Sequence, residues 1–160
     1  MRHRPRPERR LFALTLAAAA PLALGAGAPQ AAPEGAEVTV EISGLRSDEG
    51  VVRACMTTDA DRFPRCRGVA GAHSATVTAR EDGPLRLTFH GVAPGRYAIA
   101  LLHDENANGK ADRALGMMPK EGFGFSRDAK VRLGPPRFDD AAFEVGGRAT
   151  TQTIHMRYML

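Results

Sequence analysis

Long apolar runs and long amphipathic helical patterns are both missing from this 160-residue chain after residue 24. A membrane-spanning helix needs about 20 consecutive apolar residues, so no span is predicted beyond the N-terminal segment. The chain also has no C-x-x-C pair and no G-x-S-x-G segment. These absences remove the usual sequence signs of a structural zinc site and of a hydrolase nucleophile elbow. Short strands and loops must therefore account for most of the chain.

The N-terminal segment has the pattern of an export signal. Five arginines and one glutamate lie in the first ten residues, an apolar run covers residues 11–24, and small residues dominate residues 25–32. This order of charged, apolar and small residues is typical of a secretory signal peptide. We predict a cleaved signal over residues 1–32. The Arg9-Arg10 pair leaves both the general and the twin-arginine export routes open.

Removal of this signal changes the charge balance of the protein. The whole chain has 22 basic and 18 acidic residues, and residues 1–32 contain five and one of them, which leaves 17 of each. Without a net positive charge, nucleic-acid binding loses its main support in the sequence. We therefore predict one domain over residues 33–160, periplasmic or secreted, with no nucleic-acid partner and no membrane span.

The chain has only two cysteines, Cys55 and Cys66, and both lie in the predicted exported part. In an oxidising compartment such a pair usually forms a disulfide. Free thiols or a metal site are the alternatives, but no histidine lies near them at ligand spacing. We predict a Cys55–Cys66 disulfide.

Short segments with β-branched or alternating apolar residues recur between turn residues. We predict strands at residues 37–43, 51–56, 74–79, 85–90, 96–103, 129–133, 141–145 and 150–158. Segment 96–103 is apolar on both faces and is predicted to be central. In the last segment Gln152, Ile154, Met156 and Tyr158 share one face. The pattern predicts an all-β fold, a single antiparallel β-sandwich of about seven to eight strands, immunoglobulin-like or transthyretin-like.

Residues 104–128 do not alternate like a strand. Because this region contains phenylalanines and methionines, whose apolar side chains favour burial, we predict an ordered loop closing one end of the sandwich. Phe123 and Phe125 either present a binding surface for an unidentified envelope protein or glycan, or pack against the sandwich as a lid. With them, Lys120 and Glu121 are the candidate binding residues.

The segment HDENANGKAD, residues 103–112, places oxygen-bearing side chains two residues apart before a glycine. In the numbering of a calcium loop, the ligands would be Asp104, Asn106, Asn108, the Lys110 carbonyl and Asp112. Leu115 stands where the bidentate glutamate is expected, so affinity would be weak, about 10⁻⁴–10⁻³ M. The alternative is a metal-free turn that caps its own backbone, with Gly109 at positive φ. Both interpretations stay open, and calcium is the only candidate cofactor.

A small hydrolase is the rival to a non-catalytic function. His103, Asp104 and Ser126 are the ingredients of a nucleophile and its base. This hypothesis requires the three side chains to lie within hydrogen-bond reach of each other in a cleft. No catalytic motif is recognised, and we predict no enzyme activity.

Several spaced motifs resemble an exported bacterial family, the domain of unknown function 2141. They are Pro94-Gly95-x-Tyr97, then His103-Asp104-x-Asn106-x-Asn108-Gly109-Lys110, then Pro119 to Ser126, where the family pattern P-K-E-G-[YF]-G-[FY]-S falls without a gap. Ala107 and Ala111 stand where Gly and Leu are commoner. The resemblance implies the fold class and an exported location but no activity. We predict a non-catalytic binding or structural module of the bacterial cell envelope.

Overall fold

The computed structural model describes residues 35–114, 118–132 and 134–160. The predicted export signal, residues 1–32, therefore lies outside the described residues. Within them the strands are β1 Ala36–Ser43, β2 Val51–Thr57, β3 His73–Thr78, β4 Leu85–Val92, β5 Gly95–Asp104, β6 Arg113–Ala114, β7 Met118–Pro119, β8 Gly122–Phe125, β9 Phe143–Val145 and β10 Thr150–His155. A 3-10 turn covers Ser126–Asp128, and helix α1 covers Phe138–Ala141.

Two sheets form the framework. One has the order β10-β1-β4, and the other has the order β3-β2-β5-β8, with β9 pairing the start of β5. The protein is nearly all β, as predicted, and its pairings are antiparallel except between β1 and β10, which run parallel. That parallel pair was not predicted, because period-two alternation defines the faces of a strand and not its direction.

The main core lies between the inner faces of these two sheets. On β1 the alternate residues Val38, Val40 and Ile42 are fully buried, and they belong to one apolar cluster with Ile99 of β5 and Ile154 of β10. The predicted face of the last segment is confirmed, because Ile154 and Met156 are buried while His155 between them is exposed. Burial of alternate apolar residues supplies the main stabilisation of such a fold.

A second, smaller apolar cluster covers the outer face of β5. Ala98 and Ala100 of that strand contact a cluster formed with Phe125, Ala129, Phe138, Ala141 and Ala142. The small alanine side chains let helix α1 and the 3-10 turn approach the sheet closely. Strand β5 is therefore buried on both faces, as its sequence predicted.

Three predicted segment assignments need correction. Residues 129–132 of the predicted strand 129–133 form no strand, because Ala129 is buried in the second cluster rather than paired in a sheet. Strand β9 begins at Phe143, since the two preceding residues end helix α1. The predicted loop 104–128 contains β6, β7 and β8, so part of it is an edge strand rather than a covering loop.

The predicted disulfide is confirmed. Cys55 of β2 is bonded to Cys66 in the turn region before β3, with the two Cα atoms 5.5 Å apart. The bond closes the chain between two neighbouring strands of one sheet. In the part of the chain that is described, no helix has the length and apolar character that crossing a membrane requires.

Candidate functional site

Asp104 ends β5 and anchors the 104–112 loop. Its side chain is completely buried, and its carboxylate accepts hydrogen bonds from the backbone N–H of Asn108 at 3.0 Å and of Gly109 at 2.8 Å. Arg53 of the neighbouring strand β2 donates from Nε to the same carboxylate at 2.6 Å. Burial alone opposes ionisation, but these donors outweigh it and lower the pKa of Asp104. The carboxylate is thus fully engaged by the protein.

The two asparagines of this loop also satisfy its backbone. The Asn106 Oδ1 atom accepts from the Asn108 N–H at 3.1 Å, and the Asn108 Oδ1 atom accepts from the Lys110 N–H at 2.7 Å. Both carboxamide groups donate to Oδ2 of Asp112, at 2.8 and 2.9 Å. Gly109 has φ 77°, as predicted. These are the contacts of a self-capped turn.

The donor set does not fit a calcium ion in this conformation. The oxygens of Asp104, Asn106 and Asn108 already accept N–H groups, and Arg53 places a positive charge against the one buried carboxylate. Within the described residues, no group of three or more His, Cys, Asp or Glu side chains is arranged to hold a metal. Of the two alternatives left open by the sequence, this geometry favours the metal-free turn over the calcium site, and a calcium titration tests the choice.

We expect calcium to leave the thermal stability of the protein unchanged. Excess EDTA and then calcium up to about 10 mM should give the same Tm within about 1 °C, with magnesium as control, because binding to the folded state alone would raise Tm. A calcium-selective rise that Asp112→Asn abolishes would contradict the metal-free turn. The exposed Asp48→Asn variant is the matched control for lost charge.

The three residues of the hydrolase hypothesis are not brought together. The fully buried His103 contacts Tyr158 Oη through Nδ1 at 2.7 Å and the Glu49 carbonyl through Nε2 at 2.9 Å. Ser126 donates to the Ala141 carbonyl at 2.6 Å and accepts from the Ile99 N–H at 2.8 Å. Ile99 lies four residues before His103 on β5, which corresponds to about 13 Å along a strand.

The segment Gly122–Phe125 forms strand β8 at the edge of the second sheet. A Cβ added at Gly124 would lie 2.6 Å from Cγ2 of Ile154, so only glycine lets the two sheets approach here. The phenylalanines point the other way. Phe123 pairs with Leu102 and Phe125 pairs with Ala100 across β5 and β8, and the faces of β8 are therefore one glycine face and one aromatic face.

An open cavity of about 490 Å³ lies on this aromatic face, and we call it the outer groove. Its apolar lining includes Leu102, Met118, Phe123, Phe125 and Val131, and Glu121 is its buried acid. Phe125 is buried against Phe63 with ring centroids 5.9 Å apart. Phe123 is only half-buried. Phe125 thus packs against the sandwich, as the lid alternative predicted. Phe123 keeps part of its ring exposed in the groove.

Of the four predicted binding residues, Phe123, Phe125 and Glu121 line the outer groove. Lys120 is exposed, and its carbonyl accepts a hydrogen bond from Arg46 at 2.9 Å. Sequence reasoning missed Arg53, whose partner Asp104 is 51 residues away. The alternation of β2, which turns Arg53 away from the core, was the one sequence clue to its position.

Glu121 has an unusual environment. It is 4% exposed, its Oε2 atom accepts from the Asp112 N–H at 3.0 Å, and its Oε1 atom is buried with no hydrogen-bond partner among the described residues. Burial raises the pKa of Glu121 against the effect of the Asp112 N–H, and the charges of Asp104, Asp112 and Glu105 raise it further. The site therefore favours either a proton or another cation at this carboxyl.

We expect Glu121→Gln to stabilise the protein at pH 7 by about 1 kcal/mol, because an amide is easier to bury than an imperfectly paired carboxylate. With its pKa raised above 4.5, folded Glu121 holds a proton more tightly than the unfolded chain does. Its contribution to stability is therefore fully present below pH 4.5 and falls as pH rises through the folded pKa. Urea unfolding from pH 4 to pH 8 measures this, and the advantage of the variant should vanish at the acid end. An advantage independent of pH, or one shared by the exposed control Glu144→Gln, would contradict the prediction.

Comparison with known proteins identifies a family but no close relative. No curated protein and no solved structure matches the chain. The sequence model of one bacterial family matches residues 40–153, which is more than half of the chain. The match includes the Pro94-Gly95-x-Tyr97 motif, the self-capped turn and β8. The chain therefore belongs to the family described as "Uncharacterized protein conserved in bacteria (DUF2141)", which confirms the resemblance carried by its motifs.

Proposed function

We propose that the protein is a non-catalytic binding module of the bacterial cell envelope, periplasmic or secreted, which takes its ligand in the outer groove. Export is supported by the signal-like order of residues 1–32 and by a disulfide, a bond that persists in oxidising compartments. Cell fractionation of the full chain tests the location. Recovery of unprocessed protein from the cytoplasm would contradict it.

The outer groove is the observation that carries this proposal. Its volume of about 490 Å³ lies within the range of about 300–1,000 Å³ that is usual for small-ligand sites. It combines a mostly apolar lining with a single buried carboxyl, and such sites use the apolar surface for affinity and the polar group for orientation. Half-buried Phe123 supplies the largest apolar side chain that is still accessible there.

The 104–112 turn contributes by fixing one wall of the groove. The Asp112 N–H holds Oε2 of Glu121, and the Asp112 carbonyl accepts from the Lys120 N–H at 3.0 Å. Because Asp104 and the asparagines order this turn, the position of Glu121 depends on them. The turn is thus a support for a binding site, with no need for a metal ion.

Binding of an apolar probe tests the proposal. We expect 1-octanol to bind the exported protein saturably and to shift the NMR resonances of the Phe123 ring. Phe123→Ser should weaken this binding about tenfold, the effect of losing about 1.4 kcal/mol of apolar contact. Leu160→Ser, which removes an exposed apolar side chain that does not line the groove, is the matched control and should bind normally.

Two results would reject this proposal. One is the absence of saturable binding by apolar probes with wild-type protein. The other is equal binding by wild type and Phe123→Ser, which would place the probe away from the outer groove.

A further inference from the structure

The unpaired oxygen of Glu121 gives the outer groove a chemical preference. A buried carboxylate normally has all its oxygens hydrogen-bonded, and leaving one unpaired costs more than leaving a neutral acceptor unpaired. Oε2 has its backbone donor, but Oε1 has none among the described residues. A ligand that donates a hydrogen bond to Oε1 would remove this cost, so the groove favours ligands that carry a hydrogen-bond donor.

The charges around Glu121 favour a cationic donor over a neutral one. Asp104, Asp112 and Glu105 all act on Glu121 as nearby negative charges. Two of them are ion-paired, Asp104 with Arg53 at 2.6 Å and Glu105 with Arg46 at 2.6 Å. Glu121, in contrast, forms no ion pair with an arginine or a lysine among the described residues. A ligand cation would supply the missing charge.

The apolar walls of the groove determine which chemical group the remainder of the ligand should carry. Leu102 and Phe123 form a cross-strand pair on the outer face, and Met118 and Val131 extend the apolar surface around them. Such walls fit an alkyl or aryl body better than a hydrated metal ion or a sugar. Arg113 and Arg132 also line the groove, and both are exposed, so solvent screens their charges.

We propose that the outer groove binds a small amphipathic primary amine, with its apolar body on Phe123 and Leu102 and its ammonium group donating to Oε1 of Glu121. This inference rests on the proposed binding function and names its ligand class. Glu121 lines the groove, and the final torsion of a glutamate side chain is soft, so its carboxyl group can adjust to a donor placed there.

The experiment compares three probes of equal chain length on the exported wild-type protein at about pH 7.5: n-octylammonium, 1-octanol and octanoate. We expect n-octylammonium to bind at least tenfold more tightly than 1-octanol, and octanoate to bind most weakly. The carboxyl ¹³C resonance of Glu121 should shift with the ammonium probe alone. Glu121→Gln should bring the first two probes to within about threefold, since a charge-assisted hydrogen bond becomes a neutral one. Glu144→Gln should keep the wild-type order.

The outcomes separate this inference from the proposed function. Equal binding of n-octylammonium and 1-octanol, with both weakened by Phe123→Ser, would overturn the amine preference and leave a binding groove. Tightest binding of octanoate would also overturn it and point to the two arginines. If none of the three probes binds, both proposals fall. The decisive comparison uses wild-type protein, so it stands even if a variant does not fold.

Discussion

Replacement of Asp104 by alanine is expected to lower the free energy of unfolding by about 3 kcal/mol, because three donors lose their buried acceptor. The donors are the backbone N–H groups of Asn108 and Gly109 and the Nε of Arg53. Urea denaturation at pH 7 measures the change. The matched control is Asp112→Ala in the same turn, whose carboxylate accepts from exposed asparagine side chains. Its cost should stay below about 1 kcal/mol.

The pH dependence of Asp104→Asn identifies the role of charge. The pKa of Asp104 is lowered from 3.8, so its ionised form contributes stability that is present above pH 3.8 and is lost as pH falls through the folded pKa. The gap between wild type and Asp104→Asn should therefore close in acid. A gap that stays constant down to about pH 2 would show that size or shape, and not the carboxylate, matters at this position.

Removal of the disulfide is expected to have a similarly large effect. The double variant Cys55→Ala/Cys66→Ala should lose about 3 kcal/mol of stability, the chain-entropy value for a loop of this length. The two cysteines are only 11 positions apart, but the loop between them joins two paired strands. Thermal unfolding in oxidising and in reducing buffer measures the loss.

Reduction of wild-type protein provides the internal control for this variant. Dithiothreitol should lower the Tm of wild type to that of the double variant and should leave the double variant unchanged. If the double variant unfolds at the same temperature as oxidised wild type, the bond does not stabilise the domain.

Strands whose apolar residues form a clear pattern could be predicted from the sequence. The glycine-containing strand β8 could not. In β1 the alternate apolar positions defined the buried face, and in β5 apolar residues on both faces predicted a central strand, since burial of apolar side chains contributes most of the stabilisation of a sheet. Strand β8 was missed because glycine weakens strands in general. Its two glycines serve contact with β10 and the residues that follow it, and that need arises only when both sheets are present. Residues 129–132 alternate like a strand, yet they form none, and Ala129 and Val131 pack with the second apolar cluster instead.

The local contacts of the candidate site could be predicted from the sequence, and its long-range contacts could not. The spacing of Asp104, Asn106 and Asn108 before Gly109 predicted a self-capped turn as one alternative, because those contacts are local. The pairing of Asp104 with Arg53 and the burial of Glu121 depend on strands far apart in the chain. No pattern in a single segment reports such contacts. Phe123 was predicted as a contact residue, but its groove requires segments from several regions of the chain.

The two faces of β8 have different surroundings, and only the inner face contacts the main core. Gly124 meets Ile154 on the inner face, while Phe123 borders the outer groove on the other. On the proposed function, we expect a substitution at residue 123 to change ligand preference at little cost to the interior, whereas a side chain at residue 124 would collide with Ile154. If the groove binds a ligand as proposed, variation of residue 123 and of its cross-strand neighbour, Leu102, should retarget it on an otherwise unaltered scaffold.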